Sequence, residues 1–544
     1  MTARLALLAI LAALSLGGAA SFLVSERRAE AQAAPAKLTT LYFGNKYCAT
    51  CHAYEKVQEA ELKLTSLAFT RGTEMQTWSK QDKHKDAMLA LTSPRGKQMA
   101  KILGYDVAAD RRCVRCHGVV VEDEKLAAPS FDEEERVTSG VSCVICHGAV
   151  QEWVDAHSGV AAKWIGLTRE EKEARYGLRD LWDPARRAEL CCSCHIGNRE
   201  QGKVVTHEMY AAGHPPLPGI EVAAFCEAMP RHWETWPEKL KRLDDDVQRV
   251  EKNAKLTDKG RAQKLKELDN RKNVYRSSYH FDQNPPEYQQ ARLVVVSALV
   301  EFREALGLVA AEAEAGVKAQ DDTNAWPELT VFACYACHHD LKSDSWRRKR
   351  GYAGAPGRPQ LHFWPRALAP LSLEPLLQCN QAAGAKRQAE LAQALKELDA
   401  VFNAQPFGDP AKVGQKATAL VQWSNQVLED LKTCNIDSAK AQRRLLQAVG
   451  QLAEKSLPDF DSARQYGWAF ETLALHVEPA LLEREEVRAA LAELRSLLKL
   501  ELPKGQVQIV PQFLPDTLRK LAEYEPDEFR KQMAILAGAV GKTK

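Results

Sequence analysis

The chain has 544 residues, with 27% charged side chains and a formal net charge of +2. That balance argues against a nucleic-acid surface, and no phosphate loop, dinucleotide fingerprint or Ser-His-Asp arrangement is legible. The length leaves room for two or three domains, and helical periodicity with no sheet-like run puts the chain in the mainly α class.

In chain order, Met1-Thr2-Ala3-Arg4 followed by the apolar run Leu5 to Leu16 reads as an export signal, with Ala31-Gln32-Ala33 as a small-residue cleavage site. Apolar character continues through Val24, so an uncleaved membrane anchor of about 20 residues is the alternative. Arg4 on one side and Arg27-Arg28 on the other leave its orientation open. Residues 1–36 are assigned to this signal or anchor.

Five copies of Cys-x-x-Cys-His follow. They end at His52 (Cys48, Cys51), His117 (Cys113, Cys116), His147 (Cys143, Cys146), His195 (Cys191, Cys194) and His338 (Cys334, Cys337). Independent placement of 14 Cys and 14 His gives roughly 0.01 such motifs. The spacing is that of c-type haem attachment. On one helical turn the two thiols align to form thioethers with the porphyrin, and the following imidazole becomes the proximal iron ligand. Zinc knuckles also use Cys-x-x-Cys pairs, but they need no histidine after every second cysteine. Five covalently bound haem c groups are expected, and with them an exported, periplasmic location. Cys192, Cys226, Cys379 and Cys434 are left over, and the last two are candidates for a disulfide in an oxidising compartment.

Four motifs crowd into residues 37–235, a haem-packed region in which the cofactors supply much of the core. Residues 236–325 begin with a highly charged helical hairpin broken near Thr257-Asp258-Lys259-Gly260. A helix follows whose apolar face is Leu293, Val296, Leu299, Val300 and Leu306. The fifth motif occupies 326–375, which runs into a Pro/Gly-rich boundary. Residues 376–544 read as a haem-free helical bundle with the stripes Leu391, Leu395, Leu398; Leu445, Leu446, Val449, Leu452; and Leu491, Leu494, Leu497, Leu498.

The remaining histidines are His84, His157, His207, His214, His232, His280, His339, His362 and His476. All but His476 fall in the haem-bearing part and are candidates for the second axial position. Trp78-Ser79, His84, Ala87-Met88, then Gly140-Val141-Ser142-Cys143-Val144-Ile145-Cys146-His147-Gly148 and His157-Ser158-Gly159, resemble the cytochrome c-554 family over about residues 40–200. These are periplasmic tetrahaem electron carriers. The resemblance implies that His84 and His157 are distal ligands and that the haem on His117 is open on one face. This chain carries extra residues between Trp78 and His84. Thr206 to Leu217 and Met229 to Trp233 are similar to larger multihaem relatives and nominate His207 and His214 as distal ligands. His232 is either a further ligand or a hydrogen-bond donor to a haem propionate. His280, His339 and His362 remain for the fifth haem, although His339 adjoins His338 and would have to serve another iron.

Two functions follow as expectations. One is a periplasmic pentahaem carrier passing electrons between redox partner proteins through mostly bis-histidine haems. The other is an enzyme acting on a small nitrogen or sulfur oxide at one five-coordinate haem. No Cys-x-x-Cys-Lys motif supplies a lysine-ligated active haem. The C-terminal bundle is a candidate for docking a partner or a second copy.

Overall fold

The computed structural model describes residues 44–55, 71–120, 139–148, 151–158, 164, 167–233, 236–278, 290–319, 326–339, 354–436, 438–455, 459–498 and 523–541. The N-terminal signal or anchor segment and His280 lie outside them. Among the described residues the fold is mainly helical, with no strand beyond two isolated bridges, Asn198 with Lys203 and Phe332 with Leu361. No described helix is long and apolar enough to cross a membrane.

The first four haem motifs sit on helices and the fifth on a 3-10 turn, and the second and fourth have side-chain caps. Asp110 accepts from the Arg112 amide (2.8 Å) to start Arg111–His117, and Asp183 accepts from Arg186 (2.8 Å) ahead of Pro184 to start Pro184–His195. Thr168 and Glu171 form a capping box at Arg169–Tyr176. A small apolar core of Met88, Leu91, Met99, Val107, Cys113 and Val114 supports the second motif. The charged hairpin is formed by Trp236–Glu251 and Asp258–Ser278, packed on one another.

The central element is the 29-residue helix Gln290–Lys318. Its expected apolar face is buried, but so are Val294, Val295, Ala298 and Phe302, so the helix is enclosed on nearly all sides. It packs on Pro184–His195, which carries the fourth motif, on Pro410–Leu431 and on Phe460–Val477. One apolar core runs from Ala188 to Val540. The described helices after residue 376 therefore share their interior with the helices nearest the fourth motif. The stripes at Leu391, Leu398, Leu445, Leu446, Val449, Leu491, Leu494 and Leu498 all face inward.

Cys379 and Cys434 form a disulfide with a Cα–Cα distance of 5.7 Å, tying the end of Leu373–Cys379 to the segment after Pro410–Leu431. It closes a loop of 55 residues, for which chain entropy predicts a stabilisation of up to about 4 kcal/mol. Replacing both cysteines by serine should lower the thermal midpoint under oxidising conditions while leaving haem content unchanged. An equal midpoint in both proteins would show that the bridge contributes nothing.

Candidate haem sites

Each proximal histidine faces a second histidine. His52 stands opposite His157 with ring centres 6.4 Å apart, His84 opposite His195 at 6.4 Å and His117 opposite His214 at 6.2 Å. His147 stands opposite His232 at 6.3 Å and His207 opposite His338 at 6.2 Å. An iron held between two imidazoles, each about 2 Å away, sets the ring centres roughly 6.3 Å apart. All five pairs fit that span, and a direct hydrogen bond between rings would bring them closer.

The ring nitrogens are prepared for this role. Nδ1–H of His117 donates to the Ala87 carbonyl (2.8 Å), that of His157 to Trp153 (3.0 Å) and that of His214 to Pro215 (2.7 Å). His52 Nδ1 is bound to Glu74 (3.0 Å) and His84 Nδ1 to Asp82 (2.9 Å). With Nδ1 engaged as donor, Nε2 is left with its lone pair, the tautomer that ligates a metal. Burial pushes His147 down to about 3, and His195 and His214 down to about 4. These imidazoles are thus neutral, as a ligand must be. His84 is raised, first by its hydrogen bond to Asp82; His52 is raised by Glu74 although burial, the largest influence, works against it.

Local sequence explains how the distal histidines are placed. Trp78 Nε1 donates to the Val141 carbonyl (3.2 Å), and the Val141 amide donates to the His84 carbonyl (2.9 Å). The His84 segment is thereby pinned on the third motif. Gly140, at φ 52°, is required there because a Cβ would collide with the backbone of His84 and Lys85. His207 opens a short helix capped by Thr206, and its amide donates to Glu328 Oε1 (2.9 Å), six residues before Cys334. That bond brings His207 to the fifth motif.

For the fifth site the sequence offers His280, His339 and His362, but the side chain opposite His338 is His207. His362 donates Nε2–H to the Thr330 carbonyl instead (3.0 Å). His232 is opposite His147, beside Trp233, and the Pro230 backbone lies against its ring. His476 is bound to Glu227 (3.1 Å) near the surface.

Residues 47–148 match the family model of cytochrome c554 and c-prime. The match spans the first three motifs, and over that stretch the chain resembles a c-type cytochrome of that family. The fourth and fifth motifs lie beyond it. No curated protein and no solved structure matches the chain. In the family pattern the position of His117 has an open face; in this cytochrome His214 stands against it.

The carboxylate behind His84 makes that site distinctive. Burial pushes Asp82 up most, yet its bond to His84 leaves it below the usual carboxylate range, so it is charged at neutral pH. A fixed negative charge behind an axial ligand favours the oxidised iron. Asp82→Asn should raise the reduction potential of the His84–His195 site by on the order of 60 mV, tenfold in equilibrium. Potentiometric titration that finds every potential unchanged would remove Asp82 from this role.

Proposed function

We propose that this protein is a periplasmic electron carrier binding five haem c groups, each between two histidines. The pairs are His52–His157, His117–His214, His147–His232, His195–His84 and His338–His207. The observation that supports it is the ring spacing of 6.2–6.4 Å, the same at all five motifs. Haem bound between two histidines supplies a one-electron couple and leaves the iron no position for substrate. The pairing of His214 with His117 weighs against the enzyme reading, which needs an open face.

The residues also set the sites side by side. Cys48 and Cys143 lie against one another, bringing the first site beside the third, and Cys116 and Cys194 do the same for the second and fourth. Asp82, which holds His84 of the fourth site, also acts on His232 of the third. Tyr210, on the helix that begins with His207, packs on His214 (6.0 Å) and so links the fifth site to the second. A continuous path therefore runs from the first site through the third, fourth and second to the fifth. Donor and acceptor are other redox proteins that meet its ends.

A pyridine haemochrome assay should count five haems per chain. Low-temperature EPR of the oxidised protein should show low-spin iron only, in two classes. His52–His157 and His207–His338 have nearly parallel rings (24° and 26°), which gives rhombic spectra. The other three pairs are close to perpendicular (78–86°), which gives strongly anisotropic ones. A stoichiometric high-spin signal would overturn the carrier reading.

A further inference from the structure

Two glutamates are fully buried where Val222–Ala228, Gln290–Lys318 and Phe460–Val477 meet. Glu221 accepts from the amides of Ala223 (3.3 Å) and Ala224 (2.7 Å). Glu301 accepts from the Val222 amide (2.9 Å) and from Gln465 Nε2 (3.0 Å). Gln465 is itself fully buried, and its Oε1 has no hydrogen-bond partner among the described residues.

The cations on the packed elements are engaged elsewhere: Arg303 by Glu189 (2.6 Å) and Glu304 (2.8 Å), Arg366 by Asp399 (3.0 Å), Arg464 by Asp461 (3.7 Å), Arg292 by the Cys434 carbonyl (3.4 Å), and Arg187, on Pro184–His195, by the Leu181 carbonyl (2.7 Å) and Cys226. The other titratable groups facing the pair are the buried thiols of Cys226 and Cys192. Two carboxylates buried together without a cation cannot both be charged. Burial pushes Glu221 up to about 8, and burial together with Glu221 pushes Glu301 well above the usual range.

The pair borders the fourth site. Phe225, on the helix that Glu221 caps, packs edge-on against His195 (5.8 Å, 83°), and the next residue, Cys226, lies against Cys191 of the fourth motif.

We infer that Glu221 and Glu301 form a proton-binding site coupled to the electron at the His84–His195 site. This rests on the reading of those two histidines as haem ligands. As an external one-electron donor reduces the site, the pair gains one O–H bond, its proton drawn from solvent. As an external acceptor oxidises the site, that O–H bond breaks and the proton returns to solvent. The sign follows from charge: oxidation adds a positive charge nearby and favours the ionised carboxylate. The potential of this site therefore falls as pH rises through a window around 8 and is flat well below and well above it.

The test is a potentiometric titration of the full-length holoprotein from about pH 6 to about pH 10, with an infrared redox difference spectrum in H2O and D2O. One of the five potentials should fall with pH, and Glu221→Gln, which keeps an acceptor for the helix amides, should abolish that fall. The reduced-minus-oxidised infrared spectrum should contain a protonated-carboxyl band that shifts in D2O. An undiminished slope in Glu221→Gln, or no such band in the unsubstituted protein, overturns the inference. The infrared arm needs no variant, so it decides even if Glu221→Gln fails to assemble. If His84 or His195 were not ligands, EPR would show high-spin iron, an outcome separate from loss of the pH dependence.

Discussion

Replacing His214 by alanine should convert one haem of five from low to high spin while all five stay attached. The thioethers of the second motif come from Cys113 and Cys116 and do not depend on the distal side. His214 supplies only the ring 6.2 Å from His117, its Nδ1 held by the Pro215 carbonyl. Without it the iron has an open coordination position, so carbon monoxide or cyanide should bind at one haem in the variant and at none in the unsubstituted protein. His362→Ala is the matched control. That imidazole is half-buried and bound to Thr330, so its loss should cost stability without changing any spin state. An unchanged low-spin count in His214→Ala would refute the pairing at the second motif, and a response in His362→Ala would place a ligand where none is assigned.

Removing the chain from residue 380 onward should abolish assembly of the holoprotein. A haem-free bundle with its own core would come away and leave five haems behind. Here the cut strips Pro410–Leu431 and Phe460–Val477 from Gln290–Lys318 and exposes buried side chains such as Leu299, Val300 and Phe302. Each is worth about 1.5–3 kcal/mol in lost burial, and a domain's whole stability is about 5–15 kcal/mol. The same helix supports Pro184–His195, so the fourth motif loses its platform. Haem content of the truncated protein, measured against full length, checks this. Five haems on a soluble truncated chain would show that the shared core is dispensable. Leu420→Ala is the graded version: Leu420 is fully buried on Pro410–Leu431, and the truncation should cost about 2–5 kcal/mol with haem retained.

The five Cys-x-x-Cys-His motifs are legible in the sequence because each is local. Two thiols and an imidazole within five residues of one turn need no other part of the chain to define them. The helical class and the inward stripes were legible for the same reason, since periodicity is a property of one segment. Legibility ended where the chain has to return to the far side of an iron. His84 lies between the first and second motifs but faces the fourth, and His207 follows the fourth but faces the fifth. Those assignments depend on the Val141–His84 and Glu328–His207 hydrogen bonds, made between residues distant in sequence. The Pro/Gly-rich stretch before residue 376 is local information of the same kind. A Pro/Gly-rich turn marks where one helix ends, but whether the next helices keep their own core is decided by which faces meet. In this chain they close over Gln290–Lys318, a helix apolar on nearly every side that no single neighbour could cover.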